Sequence, residues 1–98
     1  MERLSESQAR ERLAKLPGWT LDGEAIRRQF TFDGFADALA FLVRLGFEAE
    51  AADHHPDISV TYKRVSLLFT THSAGGLTDK DFAGAARAME IAERIGGK

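Results

Sequence analysis

The chain has no cysteine and only two prolines among its 98 residues. The absence of cysteine excludes a disulfide framework, a thiolate nucleophile and a cysteine-ligated zinc site. The longest unbroken apolar run, residues 38–43, has six residues, whereas a membrane-spanning helix needs about 20. The net charge is −2, which gives no general attraction to nucleic acid or anionic lipid. We therefore expect neither a direct nucleic-acid partner nor a membrane partner.

The composition is that of a folded domain. Hydrophobic residues make up 44% of the chain, charged residues make up 29%, and there are seven phenylalanines, which excludes a disordered chain. The length predicts one domain over residues 1–98 with a small core. The first residues lead directly into a polar helix start and do not have the pattern of a signal peptide, so we expect a cytoplasmic protein.

Three segments have the periodicity of amphipathic helices. The first begins at a capping box in which Ser5 is the cap, and the last begins at a similar signature in which Thr78 is the cap. The middle segment covers about residues 34–52, and we expect Asp33 to cap it.

Two predicted β-hairpins lie between the helices. The first turns at Asp22-Gly23 and returns over residues 26–32. In the second, residues 58–62 and 65–69 alternate apolar and polar side chains, with Lys63-Arg64 at the turn. The order α-β-β-α-β-β-α predicts an α+β fold, with a four-stranded antiparallel sheet and helices packed on one face.

The middle helix is apolar over a surface wider than one stripe. A domain this small has little sheet surface to cover both sides, so we expect an exposed patch and a homo-oligomer, in the simplest case a dimer. We expect the last strand, residues 65–71, to offer an uncovered edge to a second copy. The apolar residues are Phe35, Leu39, Leu42 and Gly46 on one stripe, with Phe41, Leu45 and Phe47 beyond it.

All three histidines lie within nineteen residues, near the ends of predicted elements: His54 and His55 after the middle helix, and His72 after the last strand. They fit solvated loop residues, a Zn or Fe(II) site, or metal-free acid–base chemistry, since imidazole exchanges protons near neutral pH. No H-x-x-x-H spacing supports a metal site. Glu50 precedes His54 by four residues, a spacing that would let it orient that imidazole.

A serine nucleophile is a weaker alternative. Ser59, Ser66 and Ser73 leave a Ser-His-Asp triad open by composition, but none lies in a nucleophile-elbow context. The residue types alone therefore leave the chemistry undecided.

The spacing of these residues resembles the signature of the pterin-4a-carbinolamine dehydratases. Residues 16–19 and 71–77 extend the resemblance toward both ends of the chain. Two departures are mild: Lys63 stands where many relatives carry Asn, and Asp57-Ile58 stands where animal members show Glu-Trp. The signature reads Glu50, three residues, His54-His55-Pro56, five residues, Tyr62, nine residues, His72, eight residues, Asp81.

The resemblance implies dehydration of 4a-hydroxytetrahydropterin to quinonoid dihydropterin. That reaction recycles the cofactor of aromatic amino-acid hydroxylases, typically phenylalanine hydroxylase. It treats the pterin as substrate and implies no cofactor and no metal. The resemblance also implies a dimer, or a tetramer built from two dimers. Animal relatives serve as dimerisation cofactors of transcription factors, so a non-enzymatic interaction module is the alternative function.

The resemblance also assigns roles to individual residues. His54 and His72 would transfer protons and His55 would hold the pterin, so all three are candidate catalytic residues; which histidine is the acid stays open. Glu50 and Asp81 would contact the histidines rather than the substrate, although helix capping alone accounts for Asp81. We expect Tyr62 to pack rather than react. The expected pterin-binding surface consists of His54, His55, Pro56, Thr71, His72, Ser73 and Ala74.

Overall fold

The computed structural model describes residues 2–98, and its elements follow the predicted order. The sheet is antiparallel throughout, with the spatial order β1-β2-β4-β3. The predicted α+β fold with a four-stranded antiparallel sheet is confirmed. The elements are α1 (Glu6–Leu13), β1 (Thr20–Asp22), β2 (Ala25–Thr31), α2 (Phe35–Ala52), β3 (Asp57–Thr61), β4 (Arg64–Phe69), a 3-10 turn (His72–Ala74) and α3 (Asp79–Ile95).

Local capping chemistry sets the helix boundaries. The predicted capping boxes open α1 and α3, with Ser5 and Thr78 as the caps. The predicted cap of α2 is wrong: the helix starts at Phe35, so the cap is Gly34, which has no side chain to cap with, rather than Asp33. After α2 the chain turns at Asp53, which has a left-handed φ of 51°.

In the first hairpin the turn lies one residue later than predicted. Asp22 pairs with Ala25, so the turn consists of residues 23–24. Arg28 interrupts the apolar face of β2. Its guanidinium lies 4.4 Å from the centroid of the Phe30 ring and donates a 2.9 Å hydrogen bond to the carbonyl of Pro17. Partial burial lowers the pKa of Arg28 from its usual value.

In the second hairpin the turn lies one residue earlier than predicted. Thr61 pairs with Arg64, so Tyr62 and Lys63 form the turn. Tyr62 has a left-handed φ of 52° and is exposed. The expected packing of its ring is therefore not found within a single chain.

The core lies between one face of the sheet and the helices. The fully buried side chains of the two central strands face α2 and α3, while the opposite face of the sheet carries polar side chains such as Arg27 and Gln29 that are exposed. Trp19 packs edge-on against Phe30 and tilted against Phe69. The buried set includes Ile26, Phe30, Val65, Leu67 and Phe69 from the sheet, Ala38, Phe41 and Leu45 from α2, and Phe82, Ala85, Ala88 and Ile91 from α3.

The apolar surface of α2 divides differently from the predicted grouping. Phe41 and Leu45 face the core, whereas Phe47, which we grouped with them, lies on the exposed side. We call the exposed row Phe35, Leu39, Val43 and Phe47, with one residue every four positions, the α2 stripe. The expected exposed patch is therefore present on this helix within the described chain.

The prediction that β4 forms an open edge is wrong. β4 lies between β2 and β3 and pairs with both, so the edge strands are β1 and β3. On the edge strand β3, the side chains of Ile58 and Val60 are exposed. Across residues 2–98, no helix is long and apolar enough to cross a membrane.

Candidate active site

His54 is held between the last residue of β4 and the first turn of α3. Its Nε2 lies 2.6 Å from Oδ1 of Asp81, a carboxylate that is fully buried. The Phe69 ring stacks on the imidazole, with centroids 6.0 Å apart and planes inclined by 22°. The His54 side chain keeps 13% of its surface exposed. This histidine therefore has a fixed ring with one side open.

Three groups contact the carboxylate of Asp81. Besides His54 at Oδ1, the hydroxyl of Thr71 donates to Oδ2 at 2.8 Å, and the backbone N–H of Thr78 donates to the same oxygen at 2.9 Å. The two threonine hydroxyls lie 2.9 Å apart, and both residues are buried. Because His54 and Thr71 contact one carboxylate, this network places the loop after α2 beside the loop after β4.

The expected pairing of Glu50 with His54 is wrong. Oε1 of Glu50 lies 2.5 Å from Nε2 of His55 instead. The i, i+4 relation assumed a continuing helix, but α2 ends at Ala52 and Asp53 redirects the chain. Glu50 and His55 are both exposed to solvent, whereas the His54–Asp81 pair is largely buried.

His72 opens the 3-10 turn His72–Ala74 and is exposed, as is Ser73. The turn ends at Gly75 with a left-handed φ of 73°, and backbone hydrogen bonds in both directions join Thr71 and Gly76. The N-terminal segment lies over this loop: the N–H of Leu4 donates to the carbonyl of Leu77 at 2.7 Å. His72 therefore projects from a loop that is anchored at both ends.

A groove of about 160 Å³ runs between α2 and α3. Small side chains, among them Ala49, Ala83 and Gly84, leave this space open, and His54 and Phe69 also line it. Its lining contains neither His55 nor His72. The structure thus brings His54 and Thr71 to the two oxygens of Asp81, while His55 and His72 lie exposed on the loops that carry them.

An ion pair between Glu48 of α2 and Arg87 of α3 borders this groove. The guanidinium lowers the pKa of Glu48 from its usual value, and the carboxylate in turn raises the pKa of Arg87. Glu48 accepts from Nε of Arg87 at 2.9 Å, and Arg87 also reaches Glu90 on its own helix. The pair ties α2 to α3.

Sequence reasoning missed two contributors to the His54 environment. Thr78 was recognised as a helix cap, and Phe69 as an apolar strand residue, but their contacts with the site are non-local. Pro56 is buried, unlike the histidines that precede it. Within residues 2–98, no group of three or more His, Asp or Glu side chains is arranged to hold a metal ion.

Comparison with known proteins places this arrangement in context. The sequence profile of the family described as pterin 4 alpha carbinolamine dehydratase matches residues 2–91. The chain belongs to this family. A relative from Chloroflexus aurantiacus, which carries the name pterin-4-alpha-carbinolamine dehydratase as a provisional assignment, is 53% identical over 91 residues, covering 93% of this chain and 98% of its own.

Solved structures agree with the family assignment. A transcriptional coactivator/pterin dehydratase from Brucella melitensis superposes with a TM-score of 0.90 at 41% identity, covering 93% of this chain and 99% of its own. A pterin dehydratase-like protein described as a RuBisCO assembly factor in the alpha-carboxysome superposes with a TM-score of 0.63 at 24% identity, over 76% and 86% of the two chains. At that identity the second likeness shows the fold alone.

Proposed function

We propose that the chain dehydrates 4a-hydroxytetrahydropterins by histidine acid–base catalysis. The observation that carries the proposal is His54, fixed by a fully buried Asp81 at a loop junction that also presents His72. In the reaction the C4a–O bond breaks and the hydroxyl leaves as water after gaining a proton. N5 loses its proton, and a C4a=N5 double bond forms. Atoms and electrons balance without a redox partner, so the pterin is the substrate and no cofactor is proposed.

The proposed roles follow the family signature. His54 and His72 exchange protons with the substrate, while His55 holds the pterin together with the turn residues Ser73 and Ala74. Pro56 belongs to the same proposed binding surface, but it is buried, so its part is to fix the loop that carries His55. Support comes from exposure: His55 and His72 are open to a ligand arriving from solvent, and His54 keeps one side of its ring open. The side chain of Thr71 is buried on Asp81, so a contact of Thr71 with pterin would use its backbone.

A dehydration assay with freshly generated carbinolamine tests this function. Wild-type protein is expected to accelerate water loss, and His72→Ala is expected to lower kcat by about 10²-fold or more, the scale of one general acid or base. His72 is exposed, so its removal leaves the core intact. Ser7→Ala, a change on the exposed face of α1, is the matched control. No acceleration by the wild type, or equal turnover in both variants, would contradict the proposal.

The chemistry of the substrate places the reaction after a hydroxylase. A 4a-hydroxytetrahydropterin arises when a tetrahydropterin-dependent monooxygenase hydroxylates its aromatic substrate, so we propose coupling to an aromatic amino-acid hydroxylase such as phenylalanine hydroxylase. The protein added to such an enzyme at limiting pterin is expected to raise its steady-state turnover. His72→Ala should remove that gain.

We also propose that the chain forms a homo-oligomer through the α2 stripe. This row of four large apolar side chains is exposed from the first residue of α2 to Phe47, which is 74% exposed. Exposed patches of this kind mark association sites, and a two-fold axis would set the same stripe of a second copy against it. Light scattering at low micromolar concentration is expected to give a multiple of 10.8 kDa, whereas a mass near one chain would refute the association.

The α2 stripe also favours the alternative function, a non-enzymatic interaction module. The Brucella relative is described as both a coactivator and a dehydratase. If the α2 stripe binds another protein, catalytic variants such as His72→Ala should bind that protein as well as the wild type does. The dehydration assay and the association measurement therefore separate the two functions.

A further inference from the structure

The hydrogen-bond chain behind His54 has a fixed direction. Thr71 has one hydroxyl proton and gives it to Oδ2 of Asp81 at 2.8 Å. The contact between the two threonine hydroxyls, 2.9 Å, must therefore be donated by Thr78. The Thr78 oxygen in turn accepts from the N–H of Lys80 at 3.3 Å. Every proton in this chain points toward the Asp81 carboxylate.

The remaining contact of Asp81 has its direction fixed as well. An ionised carboxylate only accepts hydrogen bonds, so Nε2 of His54 donates across the 2.6 Å contact to Oδ1. Asp81 lies in the first turn of α3, a position where a helix favours a negatively charged side chain. A neutral His54 then carries its single ring proton on Nε2, and Nδ1 carries a lone pair.

Nδ1 of His54 is the ring nitrogen without a hydrogen-bond partner in the described residues. In residues 2–98 the sole buried side-chain nitrogen or oxygen that lacks a hydrogen-bond partner is Nε1 of Trp19. Nδ1 of His54 has no partner there either, so it is not buried. The nitrogen that the network leaves free therefore belongs to the part of the ring that solvent reaches.

We infer that Asp81, Thr71 and Thr78 hold His54 in the Nε2–H tautomer, so that Nδ1 is the atom that exchanges a proton with a bound molecule. Asp81 and the two threonines are positioning residues, because they act through His54 and face away from the open side. That the bound molecule is the pterin rests on the proposed function. The tautomer itself is a property of the free protein.

The Asp81→Asn substitution offers a sharp test, because the network dictates how the amide must lie. The backbone N–H of Thr78 can only donate, at 2.9 Å to Oδ2, and the Thr71 hydroxyl donates to the same position. The amide oxygen must take that place, which turns the amide NH₂ toward Nε2 of His54. Nε2 must then accept, and the ring proton moves to Nδ1.

The experiment is long-range ¹H–¹⁵N correlation NMR on histidine-labelled protein, at a pH above the range in which imidazoles protonate. The unprotonated ring nitrogen resonates far downfield of the protonated one, so the spectrum reports the tautomer directly. The His54 signals are assigned by the loss of the other signals in His55→Gln and His72→Gln. Wild type is expected to show a protonated Nε2, and Asp81→Asn a protonated Nδ1.

Asp79→Asn is the matched control. It removes a carboxylate from the same first turn of α3, but Asp79 is exposed and pairs with Arg12, so the His54 tautomer should not change. Asp81→Asn is also expected to lower kcat by about 10²-fold or more, since a wrong histidine tautomer in an intact site costs up to about 10⁴-fold. Asp79→Asn should leave kcat unchanged.

The outcomes separate this inference from the proposed function. A wild-type spectrum with the proton on Nδ1 overturns the inference, and this measurement needs no variant to fold. An unchanged tautomer in folded Asp81→Asn overturns it too. If the tautomer inverts but the wild type does not dehydrate the carbinolamine, the inference stands and the proposed function fails.

Discussion

Two adjacent histidines, His54 and His55, have opposite environments. The partner of His54 is fully buried and itself accepts two further hydrogen bonds, whereas the partner of His55, Glu50, is 78% exposed. Both contacts are short, so distance alone does not distinguish them. The difference lies in what else each carboxylate holds. Asp81 also accepts hydrogen bonds from Thr71 and Thr78 inside the fold. Glu50 is a surface residue whose side chain contacts His55.

The largest expected difference between the two pairs is in stability. Asp81→Ala removes the acceptor of three buried or partly buried donors and is expected to lower the free energy of unfolding by about 3–5 kcal/mol, the scale of breaking a buried pair. Glu50→Ala should change it by about 1 kcal/mol or less, as for exposed pairs. Urea denaturation measures both. Equal losses would show that burial does not separate the two carboxylates.

The same comparison predicts a split in kinetics. His54→Gln is expected to lower kcat by about 10²-fold or more, because the proposed mechanism has the His54 ring exchange a proton with the substrate. His55→Gln should mainly raise KM, because an exposed histidine that holds the ligand contributes binding energy more than chemistry. Steady-state kinetics with the carbinolamine provides both constants. A fall in kcat alone for His55→Gln would reverse the roles proposed for the two histidines.

A smaller loss of stability is expected from substitutions at Thr71, whose hydroxyl donates to Asp81. Thr71→Val leaves Thr78 with a buried hydroxyl proton that has no acceptor, so the free energy of unfolding should fall by about 1–3 kcal/mol. Thr71→Ser retains the hydroxyl and is the matched control, expected to lose less. Thermal and urea unfolding compare the two variants. Equal losses of unfolding free energy in Thr71→Val and Thr71→Ser would mean that the hydrogen bonds of the hydroxyl do not stabilise the site.

Metal removal is expected to have no effect. The proposed reaction asks the protein only to donate and accept protons, and the His54–Asp81 and His55–Glu50 pairs each place one imidazole against one carboxylate. Turnover after exhaustive chelation should equal turnover before it. A loss that zinc or iron specifically restores would revive the metal interpretation of the histidines.

Local sequence patterns predicted the elements well. The capping boxes at Ser5 and Thr78 depend on side chains three residues apart, and both are present. Alternation of apolar residues predicted the faces of β2 and β4, since a strand's two faces follow from its own sequence. These features need no knowledge of the rest of the chain.

The errors about the sheet have a non-local origin. Strand order decides which strand is an edge, and β4 became central because β2 pairs with it. Pairing register moved both turns by one residue. Glu50 contacts His55 because Asp53 ends the helix in a left-handed conformation. The partnership of His54 with Asp81, 27 positions apart, has no local signature at all.

The capping box of α3 has a consequence for tracing descent among relatives. The carboxylate of Asp81 accepts the N–H of Thr78 whether or not His54 is there to use it. Selection for a stable helix would therefore retain an aspartate here in lineages whose dehydratase activity has been lost. An aspartate at this position in a distant homologue therefore indicates a shared fold and not a shared activity. Under the proposed function, a histidine at the exposed position 72 is the better marker of dehydratase activity, because burial in the core does not account for it.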